Sequence, residues 1–516
     1  MSFAPHAEAG HAALICGGID DDAGSVASSC RRTKSIAALV SAVVSPSRVK
    51  MEALDGMNSK GLKKQRHVLC AHMSEWYAAG LFLIYAVLLF WHHTMPALAD
   101  FHDWAYEGVL LRDRILGASD HAHILKHYPV PNSAVTIGVA LFSLIFPWKI
   151  AAKLWLCVVF AISFFSSKHM MHTCRANSSI WLIVPSAVFL NMNLWYGFVN
   201  FQLGICWAIL VASFLLRDER REWVFGALLV VAFFTHMIPF AFAALLVLIY
   251  ALHSRRIRLL WQFLPVSVLS VWYIAGRFLV EHNADGKSGM VSSVHTFSLM
   301  FWAFKADSWL KSFGFVNPGT LDKSLGIKLL GVDTFVSLFL VNVVLCTAMG
   351  WMLIETAISS YRERRRDRFI WTAAIMFTVG YLISPASALG ISDPGSRLLQ
   401  TVLAVVLFLS LADGDRHRNI LRLSAVCSLL LAASSLFLFK STVFSPDREG
   451  SSVRFLPHKM VVFAHVDVHG REYLYQAIDQ RDMRFSVWPT GMFLNSPEAK
   501  GAPATEGSAS PPPGTI

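Results

Sequence analysis

Long apolar runs separated by short polar or basic segments repeat along the chain from residue 76 to residue 439. They lack the strict alternation of a half-buried strand, and most approach the roughly 20 apolar residues that a helix needs to cross a bilayer. The pattern predicts an all-α, polytopic membrane protein with about 11 transmembrane helices. The predicted crossings are residues 76–95, 150–167, 180–196, 201–216, two short helices within 223–253, 259–280, 333–355, 369–384, 397–411 and 420–439.

Two apolar stretches depart from a simple crossing. Residues 134–146 are too short to cross, so we expect a re-entrant or interfacial helix there. Within residues 223–253, Pro239 removes a backbone donor close to His236, which predicts a break between two short helices. With basic clusters at both ends of that stretch, the break and His236 are expected near the outer face.

Composition divides the chain into four predicted parts. Residues 1–70 are rich in Ala, Ser and Gly without periodicity, which predicts a disordered cytoplasmic N-terminus. Residues 76–440 form the predicted transmembrane domain, with long outer loops at residues 96–133 and 281–332. Alternating apolar and polar residues predict a small outer C-terminal segment with a few strands at residues 441–494, before a disordered Pro/Gly/Ser/Ala tail at 495–516.

Charge and cysteine usage narrow the class of protein. The chain is 55% hydrophobic and 15% charged, with a net charge of +11 and a mean hydropathy of +0.49. Its basic residues lie in short clusters between apolar runs, as in cytoplasmic loops, so the charge indicates topology and no nucleic-acid partner. We expect a bacterial inner-membrane protein with its N-terminus in the cytoplasm and its C-terminus outside. The eight cysteines are scattered and show no disulfide framework or metal-ligand spacing.

The first outer loop, DFHDWAYEGVLLRDRILGASDHAHILKHYPVPN at residues 100–132, concentrates carboxylates, histidines and aromatic residues. If it is helical, Asp100, Asp103 and Glu107 share one face, where like charges repel one another. They would then serve as a general base and as ligands for a divalent cation or a sugar hydroxyl. The alternative is a solvated face where the loop meets water.

Histidines offer two candidate metal sites. His121, His123 and His127 lie close together in the first outer loop, where surface or hydrogen-bonding roles are the alternative to a metal. In the C-terminal segment, His465, Asp467 and His469 would share one face of a strand, but no fourth ligand is evident.

Polar residues elsewhere on the predicted outer side suit a sugar phosphate. The amide-rich turn, residues 191–202, combines amides and aromatics that suit carbohydrate, or else an interfacial belt with helix caps. His236 at a helix break is a site candidate, or a partner for a freed carbonyl. Arg397 follows a Pro-Gly-Ser turn and suits a phosphate group, or else snorkels to the interface.

These features together resemble the GT-C class of membrane glycosyltransferases, which includes protein O-mannosyltransferases and lipid A aminoarabinose transferases. The shared features are one long first span, an outer loop that starts with carboxylates, a proline-containing start of the next apolar segment and many later spans. Members use a lipid-phosphate-linked sugar donor and an acidic residue of the first outer loop. The resemblance implies that this residue is Asp103, or else Asp100, and that Arg397 contacts the donor phosphate. Familiar bacterial members often have Lys-Pro-Pro-Leu where this chain has His-Tyr-Pro-Val-Pro-Asn, so the sugar is not specified.

The expected activity is inverting transfer of a sugar from a polyprenyl-phosphate donor to a lipid, glycan or protein hydroxyl, amid membrane lipids. The residues expected to bind substrate are Glu107, His127, Tyr128, Asn132, Asn193, Trp195, Tyr196, Asn200, His236 and Arg397. A transporter or flippase is the alternative, although it would place charges at the bilayer midplane. A polymerase or ligase of surface polysaccharide shares most of the features. No nucleotide-binding loop, nucleophile elbow or zincin motif is present, which argues against ATP-driven transport.

Overall fold

The computed structural model describes residues 59–91, 98, 100–118, 123–174, 181–195, 197–284, 299–313, 332–363, 365–385, 387–388, 391–392, 394–412, 417–443, 461–462, 485–486 and 491–495. Two units make up the chain, Met1–His67 and Val68–Ile516. In the first unit only the start of one helix is described. All the other elements belong to the second unit.

Helices form most of the described chain. The α-helices, in order, are α1 (Ser59–Trp91), α2 (Phe101–Ile115), α3 (Ala134–Ser143), α4 (Trp148–Cys174), α5 (Met192–Trp195), α6 (Val199–Arg217), α7 (Trp223–Thr235), α8 (Met237–His253), α9 (Leu264–Ala284), α10 (Leu299–Phe313), α11 (Val332–Arg362), α12 (Arg368–Ile383), α13 (Pro394–Ala412) and α14 (Arg418–Val443). A π-helix at Pro185–Phe189 precedes α5, and a 3-10 helix at Ile257–Phe263 leads into α9.

Short strands form three pairs. Strand β1 (His123–Leu125) pairs antiparallel with β6 (Phe493–Asn495), with His123 opposite Asn495. The other strands, all of two residues, are β2 (Ser387–Ala388) antiparallel to β3 (Ile391–Ser392), and β4 (Val461–Val462) parallel to β5 (Phe485–Ser486). The first pair joins the predicted first outer loop to the C-terminal segment.

Six helical segments of the described chain are long and apolar enough to cross a bilayer. They are Met73–Phe90, Trp148–Cys174, Val199–Arg217, Ile257–Arg277, Val332–Arg362 and Pro394–Ala412. Five shorter apolar helices are Ala134–Ser143, Trp223–Thr235, Met237–His253, Arg368–Ile383 and Asn419–Ser434. The structure therefore confirms a mostly helical protein with membrane-spanning character, while the total of about 11 crossings stays a prediction.

Burial separates an enclosed centre from an apolar outer surface. In the spans of α6 and α13, 78% and 83% of the residues are buried, against 11% in the span that includes α9. On that span Trp261 is 72% and Trp272 54% exposed. An apolar surface of this kind is unfavourable in water and favourable against lipid. Helices α6 and α13 therefore form the buried centre of the bundle.

Three expectations about local structure need correction. Helix α1 already begins at Ser59, so residues 59–70 are helical and not disordered, because this basic stretch contains no proline to stop a helix. The predicted crossing at 180–196 is no single α-helix. It contains the π-helix that starts at Pro185, which lacks a backbone donor. The predicted outer loop 281–332 includes α10, whose apolar residues pack on α11 and α13.

Candidate functional site

The start of α2 lies directly against the amide-rich turn. Gly197 has φ +70°, and a Cβ at this position would lie 2.4 Å from the backbone nitrogen of Phe101 and 2.7 Å from that of Asp100. A side chain would clash with backbone here, so only glycine allows this approach. Asp100 is exposed and Asp103 is half-buried in the first helical turn. The positive end of the helix dipole favours both carboxylates and offsets their mutual repulsion.

Glu107 differs from the other two carboxylates because it is buried, with 2% exposure. Its Oε2 accepts hydrogen bonds from Thr136 Oγ1 at 3.3 Å and from the backbone N–H of Met492 at 3.0 Å. Burial raises the pKa of Glu107 to about 7, and the Met492 N–H and the nearby Lys126 partly oppose this rise. The helical spacing is as expected, but Glu107 faces protein groups and so has the surroundings of a structural anchor.

Asn200 ties the end of the first outer loop to α6. Its Nδ2 donates to the carbonyl of Asn132 at 2.7 Å, and its Oδ1 accepts from the N–H of Val135 at 2.9 Å. Asn132 adopts φ 71°, and the N–H of Ser133 donates to the carbonyl of Phe234 at 2.9 Å. These bonds bring the start of α3, the start of α6 and the end of α7 together.

Arg397 and His236 face each other at the same end of the bundle. Arg397 Nη1 lies 3.3 Å from His236 Nε2, and the guanidinium lies 4.2 Å from the ring centroid of Phe198. Phe198 directly follows Gly197, which contacts the start of α2. Arg397 is therefore linked to the start of α2 through these two neighbouring residues. The ring of Phe201 meets His236 edge-on at 5.1 Å.

The hydrogen bond at Nδ1 of His236 indicates which ring nitrogen carries the proton. The N–H of Ile238 donates to His236 Nδ1 at 3.2 Å, so the proton of the neutral ring lies on Nε2. Arg397 can only donate hydrogen bonds. In this tautomer Arg397 Nη1 and His236 Nε2, which lie 3.3 Å apart, are both hydrogen-bond donors. A phosphate oxygen beside them could accept hydrogen bonds from both groups.

The remaining candidates of the amide-rich turn differ in what surrounds them. Asn193 is 1% exposed, and its Nδ2 has no hydrogen-bond partner within the part of the chain that the structure describes. Trp195 ends the four-residue helix α5, and Tyr196 lies outside the described residues. Asn193 is thus a buried donor available to a polar ligand.

His127 and Tyr128 lie apart from this group. His127 is exposed, whereas Tyr128 is buried against α9, where a Cβ on Gly276 would lie 2.4 Å from its ring. Tyr273, also on α9, is an aromatic neighbour of Tyr128, with ring centroids 6.1 Å apart. Tyr128 therefore has a packing role in the structure.

The described residues provide no metal site. Among them, no group of three or more His, Cys, Asp or Glu side chains is placed to hold a metal ion. Of the first histidine cluster, His123 is buried. His127 is exposed, and the other histidine and aspartate candidates lie outside the described residues, namely His121, His465, Asp467 and His469.

Lys305 is a buried cation that sequence reasoning missed. Its Nζ donates to the carbonyl and to Oγ of Ser384, at 2.8 and 2.7 Å, between the rings of Phe301 and Tyr381. A Cβ on Gly395 would lie 2.7 Å from Nζ. Lys305 therefore bonds the start of the segment that joins α12 to α13 and lies close to Gly395 at the end of this segment. Gly395 is in the first turn of α13, which also carries Arg397. A lone lysine within the apolar run MFWAFKADSWL was the available signal.

Comparison with known proteins identifies no relative of this chain. No protein-family profile, no curated protein and no solved structure matches the chain. The geometry brings together the start of α2, the amide-rich turn, His236 and Arg397, while His127, Tyr128 and Glu107 lie in other surroundings.

Proposed function

We propose that this protein is a membrane glycosyltransferase that takes a sugar from a polyprenyl-phosphate donor and transfers it, with inversion, to a hydroxyl group. The hydroxyl belongs to a lipid, a glycan or a protein. The proposed setting is the outer face of a bacterial inner membrane, with the N-terminus in the cytoplasm. The observation that carries the proposal is the pair of donors, Arg397 Nη1 and His236 Nε2, 3.3 Å apart. Arg397 lies over Phe198, and the preceding Gly197 contacts the carboxylate-bearing start of α2.

The donor pair suits the leaving group of such a reaction. A lipid phosphate gains negative charge as the sugar leaves, and fixed donors stabilise that charge more than they stabilise the bound donor substrate. Arg397 is held over the ring of Phe198, and His236 is fixed by its bond from Ile238. Both donors are thus oriented before the substrate binds.

Asp103 is the proposed base. As the acceptor oxygen bonds to the anomeric carbon, the bond from that carbon to the phosphate oxygen breaks and its electron pair leaves with the lipid phosphate. The acceptor hydroxyl proton passes to the Asp103 carboxylate. A positioned base of this kind contributes roughly 100- to 10,000-fold to the rate. Asp100, which is exposed at the same helix start, is the second candidate.

Buried polar atoms at the end of the first outer loop and in the amide-rich turn suit the sugar itself. Asn132 Oδ1, Ser133 Oγ and Asn193 Nδ2 have no hydrogen-bond partner among the described protein atoms. Buried polar atoms are normally satisfied, so atoms of this kind indicate a ligand or ordered water. Sugar hydroxyls both donate and accept, so they can pair with an amide oxygen, a hydroxyl and an amide nitrogen.

A transporter or flippase of a lipid-linked or polar solute is the second candidate. The break between α7 and α8 at His236, and the π-helix that begins at Pro185, are discontinuities of the type that line transport sites. The two proposals differ in chemistry, because only the transferase cleaves the bond between sugar and phosphate.

The proposed test uses purified protein reconstituted in vesicles with a panel of polyprenyl-phosphate sugars and acceptors. We expect release of lipid phosphate by the native protein and at least about 100-fold less by Asp103→Asn. Asp113→Asn, on the same helix and paired with Arg112, is the matched control and should stay active. Full activity of Asp103→Asn would refute the role of Asp103 as the base. Solute flux without release from any donor would favour the transporter.

A further inference from the structure

A small, partly enclosed cavity lies between the π-helix, α6, α10 and α13. Its walls include Asn191, Ile205, Ser312, Gln400 and Leu403. The volume open to the centre of a water molecule is about 10 Å³. A cavity of this size accommodates about one water molecule and excludes a sugar or a phosphate group.

Gln400 is the polar side chain of this cavity that the protein leaves unsatisfied. It is 4% exposed, and neither Oε1 nor Nε2 has a hydrogen-bond partner among the residues that the structure describes. A buried amide in this state is strongly unfavourable, because it has lost its bonds to water without replacing them. A ligand that can donate to Oε1 and accept from Nε2 would remove this penalty.

The other polar groups of the cavity already have partners. Asn191 Nδ2 donates to the carbonyls of Ala187 and Val188, both at 3.1 Å, and its Oδ1 accepts from the N–H of Asn193. Ser312 Oγ donates to the carbonyl of Ser308 at 2.7 Å. A hydroxyl oxygen retains lone pairs after it donates, so Ser312 remains an acceptor for a ligand.

We propose that the cavity binds one ordered water molecule, with Gln400 as its main ligand and Ser312 as a second acceptor. The water donates to Gln400 Oε1 and Ser312 Oγ and accepts from Gln400 Nε2. Two to four polar partners are what a buried water requires. The water joins α10 to α13 one helical turn behind Arg397. This hydration site does not depend on the proposed glycosyl transfer.

A structure of the full chain in lipid nanodiscs, at a resolution where ordered waters are visible, tests the site. We expect density for one water within hydrogen-bond distance, about 3 Å, of Gln400 and Ser312. A cavity without density, in a map that shows other buried waters, would overturn the proposal.

Two variants test the ligand. Gln400→Leu removes both amide atoms and should abolish the water density, whereas Leu403→Met changes an apolar wall of the same cavity and should retain it. Water that persists in Gln400→Leu would refute Gln400 as the main ligand. If this variant does not fold, the map of the native protein decides the question. Release of lipid phosphate is not a readout here, so failure of the proposed reaction leaves this test unaffected.

Discussion

The backbone N–H of Met492 donates a hydrogen bond to Oε2 of Glu107 at 3.0 Å, across a separation of 385 residues. The N–H of Lys126 donates to the carbonyl of Met492 at 2.9 Å, and β1 pairs with β6 beside it. Residues 491–495, the C-terminal tether, are therefore held on α2 through a buried carboxyl group. Glu107 lies one helical turn after Asp103, so this contact lies next to the proposed base.

The tether should loosen as the pH rises. Burial raises the pKa of Glu107 from an ordinary 4.5 to about 7, against the opposing effects of the Met492 N–H, Lys126, Thr136 and His123. A raised pKa in the closed form means that the contribution of Glu107 to closure is complete below about 4.5. That contribution is lost as the pH passes through about 7, because the carboxylate is better solvated by water. Hydrogen exchange of residues 123–126 and 492–495, corrected for intrinsic rates, measures the opening.

Glu107→Gln provides the control for this pH effect, because glutamine does not titrate. Its tether should show corrected exchange that is independent of pH between about 5 and 8. Slower opening of the native tether at higher pH would contradict the assignment, as would the same pH dependence in the glutamine variant.

Gly197→Ala should disturb the start of α2. The new Cβ would lie 2.4 Å from the backbone nitrogen of Phe101, at a φ of +70° that L side chains rarely adopt. We expect a loss of about 1–3 kcal/mol in stability and a large loss of activity, because Asp100 and Asp103 are displaced. Gly80→Ala is the control, since nothing lies within 4 Å of a Cβ there. Thermal unfolding in detergent should show a lower Tm for Gly197→Ala only, and equal Tm values would contradict the close approach.

Arg397→Lys should weaken the proposed reaction more than the fold. Lysine keeps the charge but loses the planar fork that lies over Phe198 and points Nη1 towards His236. Loss of a charge-assisted hydrogen bond corresponds to about 1.5–3 kcal/mol, so kcat/KM for release of lipid phosphate should fall roughly 10- to 100-fold. Arg422→Lys, at an exposed position on α14, is the matched control. Native kinetics in Arg397→Lys would remove Arg397 from the phosphate site.

Asp218→Ala should destabilise the protein modestly and in a pH-dependent way. Asp218 is the C-cap that follows α6, at φ 59°, accepts from Tyr250 Oη at 2.7 Å and pairs with Arg256 at 2.9 Å. The bond from Tyr250, with the charges of Arg256 and Arg366, lowers the pKa of Asp218 below its usual 3.8. Its contribution is therefore present above 3.8 and is lost as the pH falls further. Because its side chain is 53% exposed, we expect a loss of only about 0.5–1 kcal/mol at neutral pH.

Chemical denaturation with and without high salt measures this contribution. Asp218→Asn keeps an acceptor for Tyr250 and a residue that tolerates φ 59°, so it should lose less stability than the alanine variant. A loss of several kcal/mol, or one that does not change with salt, would show that the cluster is more than a screened ion pair.

The sequence by itself determined the features that depend on neighbouring residues. Apolar runs predicted helices because each run must satisfy its own backbone in lipid, and six of the observed helical segments are long enough to cross. The break was predicted from Pro239, and α7 ends at Thr235 while α8 begins at Met237 with His236 between them. Residues 134–146 were too short for a crossing, and α3 has 10 residues.

Only the tertiary structure decided which polar residues are buried and what they face. The spacing of Asp100, Asp103 and Glu107 predicted one shared helix face, but only Glu107 is buried against Thr136 and Met492. Lys305 lay in a predicted loop, yet it holds the segment before Arg397 because α10 packs on α13. The burial of a residue depends on segments that are far away in the chain. Sequence periodicity predicts only which face of its own helix the residue occupies. That is why the donor pair of His236 and Arg397, 161 residues apart, becomes visible only in the folded protein.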